Sequence, residues 1–225
     1  MKQTALTMIK KFIGILISVL AIVVGLYPAI YLFIDRKFGL LASKTNELLA
    51  DPVWNFTFYT HIYLGGLALL IGWTQFSSKL RNKNIALHRM TGKVYVVSVL
   101  ISSITGIYIG IFATGGLISS MGFICLGVIW FYTTLMAFIY IRSKQTLQHQ
   151  KMMIYSYAAC FAGVTLRLWL SVLTSIFGDF INAYTIVAWL CWVPNLLLVE
   201  WGLLSGEKPV PRDPIEPNPP TAASN

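Results

Sequence analysis

Six uninterrupted apolar runs, each close to the length of a bilayer crossing, govern what this 225-residue chain can become. They occupy residues 12–34, 57–76, 94–114, 121–141, 152–173 and 184–204, and a helix crosses about 30 Å of hydrocarbon with about 20 such residues. A backbone in lipid must satisfy its own polar groups, so each run reads as a helix. The expected fold class is therefore all-α, a polytopic membrane bundle of six transmembrane helices. Composition agrees: 56% of residues are apolar and 11% charged, against roughly 25% charged in soluble domains. Lys2, Lys10 and Lys11 precede the first run as in a signal peptide. That run is too long for an h-region and no small-x-small site closes it, so it reads as a retained span.

The net charge of +9 falls in short clusters between the runs rather than on one face, which argues for topology signals and against a nucleic-acid partner. The segment SSKLRNKNIALHRMTGK, residues 77–93, holds Lys79, Arg81, Lys83, Arg89, Lys93 and His88. With the bases of the N-terminal tail, of 142–151 and of the C-terminal tail, thirteen Lys and Arg fall on one face and three, in 35–56, on the other. This bias predicts cytoplasmic N- and C-termini in a bacterial cytoplasmic membrane. The domain reading is a membrane domain over 1–204 and a proline-rich cytoplasmic tail over 205–225 that lacks the apolar residues of a packed core and is expected to be disordered. In the loop 35–56, Asp35, Glu47 and Asp51 balance the three bases, and LLASKTNELLA is expected as a short amphipathic helix on the outer interface.

The helix faces carry the functional signal, because helices in lipid associate through small and polar residues. At 100° per residue, one stripe of the second span holds His61, Gly65, Ala68, Gly72 and Gln75. The third span aligns His88, Gly92, Tyr95, Ser102, Gly106 and Gly110, and the fifth His149, Met153, Ser156, Cys160, Gly163 and Arg167. Each of the three histidines thus begins a stripe expected to face the bundle interior. By count of residues, His88 and His149 belong to the cytoplasmic interface, whereas His61 and Arg167 share a level toward the outer side. An arginine within a span marks a functional site by default.

Other residues predict packing. Cys125, Cys160 and Cys191 lie inside apolar runs and read as small hydrophobes. Pro194 removes a backbone bond to Leu190 and should kink the last span, with Asn195 beside it to partner freed groups. Glu200, within about a turn of the cytoplasmic end, is expected to reach water or a basic loop residue. No nucleophile elbow, HExxH or phosphate-cradling glycine loop occurs, and the sequence leaves open whether the chain is an enzyme.

The segments HIYLGGLALLIGWTQF, KLRNKNIALHRMTGKVYV, LQHQKMMIYSYAACFAGVTLRLWL and AWLCWVPNLLLVEW resemble successive signatures of a bacterial integral-membrane family, domain-of-unknown-function family 2306. That resemblance implies a six- or seven-helix membrane protein and supplies no activity. The second and third spans also resemble two consecutive helices of the transmembrane ascorbate-reducing cytochromes b. In that family the residues matching His61 and His88 ligate different haems, each with a partner on another helix; here the fourth span has no histidine.

Three readings follow. The first is a membrane component whose stripes serve packing or a protein partner, including a second copy of the chain, in the lipid bilayer. The second is a b-type haem protein for electron transfer: His88 and His149 would supply axial nitrogens to the iron, Arg89, Lys93 and Lys151 would meet propionates, and His61 with Arg167 would form a further cofactor-binding level. The third is a small transporter with a polar path near His61, Arg167 and Gln75.

Overall fold

A computed structural model describes residues 2–34 and 39–206. Its helices are α1 (Lys2–Leu26), α2 (Asn46–Ala50), α3 (Pro52–Gly72), α4 (Ser78–Lys83), α5 (Ile85–Ile111), α6 (Leu117–Arg142), α7 (Thr146–Cys160), α8 (Ala162–Phe177), α9 (Phe180–Leu190) and α10 (Val193–Gly206). There is no strand among the described residues. Among the described residues six helical segments are long and apolar enough to cross a membrane: Lys11–Leu32, Pro52–Phe76, Ile85–Ile111, Leu117–Arg142, Thr146–Phe177 and Phe180–Leu203. They are the six runs read from the sequence, several of them longer at one or both ends. α10 continues to Gly206, and the rest of the proline-rich tail, like Asp35, lies outside the described residues.

The basic segment, read as a connection between spans, is mostly helix. The Ser77 hydroxyl accepts from Leu80 N at 3.2 Å and starts α4, and the Asn84 side chain accepts from Leu87 N at 2.9 Å and starts α5. These side-chain caps satisfy first-turn donors where the chain leaves lipid, so His88, Arg89 and Lys93 stand on a helix. At the opposite end of the bundle Asp51 caps α3 through Val53 N and Trp54 N, with Pro52 in the first turn.

The expected single amphipathic helix over LLASKTNELLA is instead a 3-10 turn, Gly39–Ser43, followed by the short α2. The Thr45 hydroxyl, which accepts from Leu48 N, starts a new helix there and breaks the run. Leu41 and Leu49 are buried against Trp54 and Phe58 rather than against the bilayer surface. Lys44 Nζ, 2.5 Å from Phe112 O, ties the segment to the end of α5.

α3 packs along α5, α5 along α6, α6 along α7, and α7 returns to α3. This ring makes two diagonal pairs, α3 with α6 and α5 with α7. α8 and α9 extend it beyond α6, α1 covers α3 and touches α8, and α10 lies on α7. Large apolar residues such as Phe12, Val23, Ile104, Ile118, Val172 and Leu198 are exposed on the perimeter, while Ser102, Ser103, Ser119, Thr134 and Ser156 are fully buried. That inversion of a soluble core is the packing of helices in lipid, where small and hydroxyl side chains let backbones approach.

The three histidine stripes face inward. In the centre of the ring the Tyr95 hydroxyl meets Ser156 Oγ at 2.9 Å, Ser156 Oγ meets Thr134 Oγ1 at 2.6 Å, and Thr134 Oγ1 donates to Trp130 O at 2.7 Å. Since the last proton rests on a backbone carbonyl, the order of donors is set from Tyr95 to Thr134. The network is a clamp across α5, α6 and α7, and it does not pass protons onward. Gly72 is required beside it: a Cβ there would come within 2.5 Å of the Tyr157 ring and 2.9 Å of Tyr95.

The last span breaks between α9 and α10 as Pro194 predicts. Asn195 Nδ2 donates to Cys191 O at 2.9 Å and to Thr165 Oγ1 at 3.2 Å, and Thr165 Oγ1 donates to the same carbonyl at 2.5 Å. The kink thereby joins α8 to α10. Glu200 is exposed and also accepts a hydrogen bond from the Tyr155 hydroxyl on α7. All three cysteines are free, with Cys160 and Cys191 buried.

Candidate functional site

His61 sits in the first half of α3, facing α5. Its Nδ1 lies 2.8 Å from Ser102 O, and the Ser102 hydroxyl donates back to His61 O at 2.9 Å. A carbonyl can only accept, so the ring proton is on Nδ1, and in the neutral ring Nε2 then carries the free lone pair. The clasp needs Gly106, because a Cβ at that position would stand 2.8 Å from both His61 Cε1 and Nδ1.

Arg167 reaches the same region from α8. Its Nη1 donates to Gly163 O at 2.7 Å, and its Cζ stands 4.4 Å above the centre of the Tyr27 ring. Among the described residues no carboxylate pairs with it. A guanidinium has five N–H donors, so most of them are unspent inside a span. Tyr27 and Tyr31, edge to face at 6.2 Å, wall this side.

Both residues line one cavity of about 850 Å³ on the side of the bundle away from the basic segment. Its walls come from α1, α3, α5, α6, α7 and α8 and are mainly apolar, with Phe58, Leu69, Leu126 and Trp130 among them. Trp54 Nε1 and Thr174 Oγ1, from two further lining residues, are buried with no hydrogen-bond partner. Trp130 Nε1 is unpartnered as well, although it lies beside the Tyr95 hydroxyl without a competent hydrogen-bond geometry. Lys44 lines the mouth, and burial lowers its ammonium from 10.5 to about 8. The cavity thus offers an excess of donors and cations with one imidazole acceptor. Its size falls within the about 300–1,000 Å³ usual for small-molecule sites.

The other candidate residues lie at the basic end. His149 Nδ1 is 2.9 Å from Ala137 O, which leaves its Nε2 free in the same way. His88 is within electrostatic reach of His149 across the α5–α7 diagonal and of Arg81 on α4 and Arg89 on its own helix, and its Nδ1 is buried without a partner. Arg89 and Lys93 are exposed and Lys151 is half-buried. Gln75, expected on one path with His61 and Arg167, is instead at this end and donates to Thr91 Oγ1 at 2.7 Å. Among the described residues no group of three or more His, Cys, Asp or Glu could hold a metal ion.

The sequence pairs His61 with Arg167 by depth, and the fold brings them into one cavity. Sequence reasoning missed Tyr27, Tyr31, Lys44, Trp54 and Thr174. Tyr27 and Tyr31, four positions apart and the two tyrosines of the first span, were the available signal. No curated protein and no solved structure matches the chain, so the likeness of residues 61–96 to ascorbate-reducing cytochromes b has no counterpart there. A family profile described as Predicted membrane protein (DUF2306) matches residues 58–202, which include His61, His88, His149 and Arg167, and the chain belongs to that family.

Proposed function

We propose that this chain is a membrane-embedded binding protein for an amphipathic small molecule, taken from the bilayer into the cavity beside His61 and Arg167. The observation that supports this reading is Arg167 itself, a cation within a span, short of hydrogen-bond partners, at the edge of an apolar cavity of about 850 Å³. A buried charge without a partner is costly, and an acceptor head on a ligand would relieve it while the tail fills the apolar volume. Lys44 adds a second cation at the mouth. With thirteen Lys and Arg on one face, the termini are assigned to the cytoplasm and the cavity to the outer half of the membrane.

The test is binding of a fluorescent fatty acid to protein in lipid nanodiscs, with empty nanodiscs as reference. Saturable binding is expected, weakened about tenfold or more by Arg167→Ala, as the loss of a charge-assisted hydrogen bond of about 1.5–3 kcal/mol implies. Binding equal to that of empty nanodiscs would remove the proposal.

A second reading, haem ligation at the basic end, is favoured by His149, whose Nδ1 bond to Ala137 O is the arrangement that orients an axial imidazole. Arg89, Lys93 and Lys151 are the nearby cations for propionates. His88 fits less well, since its Nδ1 lacks the partner that an axial ligand uses. An absorbance spectrum of protein expressed with added haem decides this reading, and absence of a Soret band eliminates it.

A further inference from the structure

We infer that the amphiphile is a lipid-tailed hydroquinone, bound with a ring hydroxyl on His61 Nε2 and with its oxygens accepting from Arg167. This rests on the preceding reading of the cavity and names its ligand class. His61 decides it. Because Nδ1 is committed to Ser102 O, Nε2 offers a lone pair and requires a donor from the ligand. An ionised carboxylate or phosphodiester head satisfies Arg167 but gives His61 nothing, and a quinone carbonyl only accepts. A hydroquinone hydroxyl does both, donating to His61 Nε2 and accepting from Arg167.

Shape agrees with the donor count. The head would lie beside His61, where the aromatic residues Tyr27, Phe58 and Trp130 line the cavity. A tail has an exit: Ser171 and Ser175 on α8 line the cavity and are also exposed, next to the exposed Val172 and Ile176. Binding of this kind involves no redox step.

The experiment uses the full chain in nanodiscs under argon, titrated with a decyl-tailed benzoquinol and with the corresponding quinone. Displacement of the fluorescent fatty acid and quenching of tryptophan fluorescence are the readouts. The quinol is expected to bind about tenfold more tightly than the quinone, the difference attributable to one hydrogen bond. His61→Leu should remove that preference, whereas Arg167→Met should weaken both forms. The comparison of the two redox forms on the wild-type chain does not depend on any variant folding. A quinone bound as tightly as the quinol, or a haem Soret band in the purified protein, overturns the inference. If the fatty acid binds and the quinol fails to displace it, this inference fails and the broader reading stands; if the fatty acid itself does not bind, both fail.

Discussion

His61 Nδ1 lies 2.8 Å from the carbonyl oxygen of Ser102, and the Ser102 hydroxyl in turn donates to His61 O at 2.9 Å. The two bonds lock α3 to α5 at the level of the cavity and dictate which ring nitrogen can serve a ligand. Positioning and packing are therefore separable by mutation.

Ser102→Ala keeps the carbonyl and hence the tautomer, and removes only the hydroxyl bond. A stability loss of about 1 kcal/mol is expected with ligand binding retained. Gly106→Ala places a methyl 2.8 Å from the imidazole and should destabilise by about 1–3 kcal/mol while abolishing binding. Thermal unfolding in detergent and the nanodisc titration check both. Unchanged binding in Gly106→Ala would show that the ring orientation is immaterial.

Arg167 should trade stability for function. Desolvating a guanidinium costs several kcal/mol, and the Tyr27 ring returns about 0.5–2. Arg167→Met is therefore expected to raise the stability of the ligand-free protein by about 1 kcal/mol while weakening fatty-acid binding about tenfold. A variant that unfolds more readily than wild type would mean that the Gly163 and Tyr27 contacts outweigh desolvation.

The buried hydroxyl clamp gives a third expectation. Tyr95→Phe removes the first donor of the Tyr95, Ser156, Thr134 series and should lower stability by about 1 kcal/mol. Because the series ends on Trp130 O, ligand binding should keep its pH dependence. A changed pH profile in this variant would contradict a purely structural role.

Lys44 supplies a pH dependence of known sign. Burial lowers its ammonium from 10.5 to about 8, so between those values the unfolded chain holds a proton that the folded chain has released. Stability from this group therefore rises as pH increases from about 8 to 10.5. Affinity for the anionic fatty acid should fall over the pH range just above 8, as the cation at the mouth is lost. Lys44→Met should flatten both profiles, and a fatty-acid affinity that stays constant across pH 8 in the wild type would exclude Lys44 from the site.

The fold was largely legible in the chain because lipid imposes a simple rule. Twenty apolar residues must be a helix, and small residues repeating at helical spacing must face other helices. The stripes headed by His61, His88 and His149 followed from that rule, as did the break at Pro194. Legibility ended wherever a side chain chooses among partners. Glu200 found Tyr155 and Gln75 found Thr91, choices that depend on which helices become neighbours.

The six-helix membrane bundle, the three inward stripes and a shared level for His61 and Arg167 follow from apolar run length and helical periodicity alone. That this level is a cavity, walled by Tyr27 and Tyr31 from the first span and by Lys44 from the loop packed over Trp54, emerges from helix packing. Periodicity specifies the face a residue occupies, but the ring order of α3, α5, α6 and α7, and the cavity left beside it, arise from side-chain volumes summed over several helices. The tautomer of His61 is likewise a tertiary fact, because the carbonyl that sets it lies forty-one residues further along the chain.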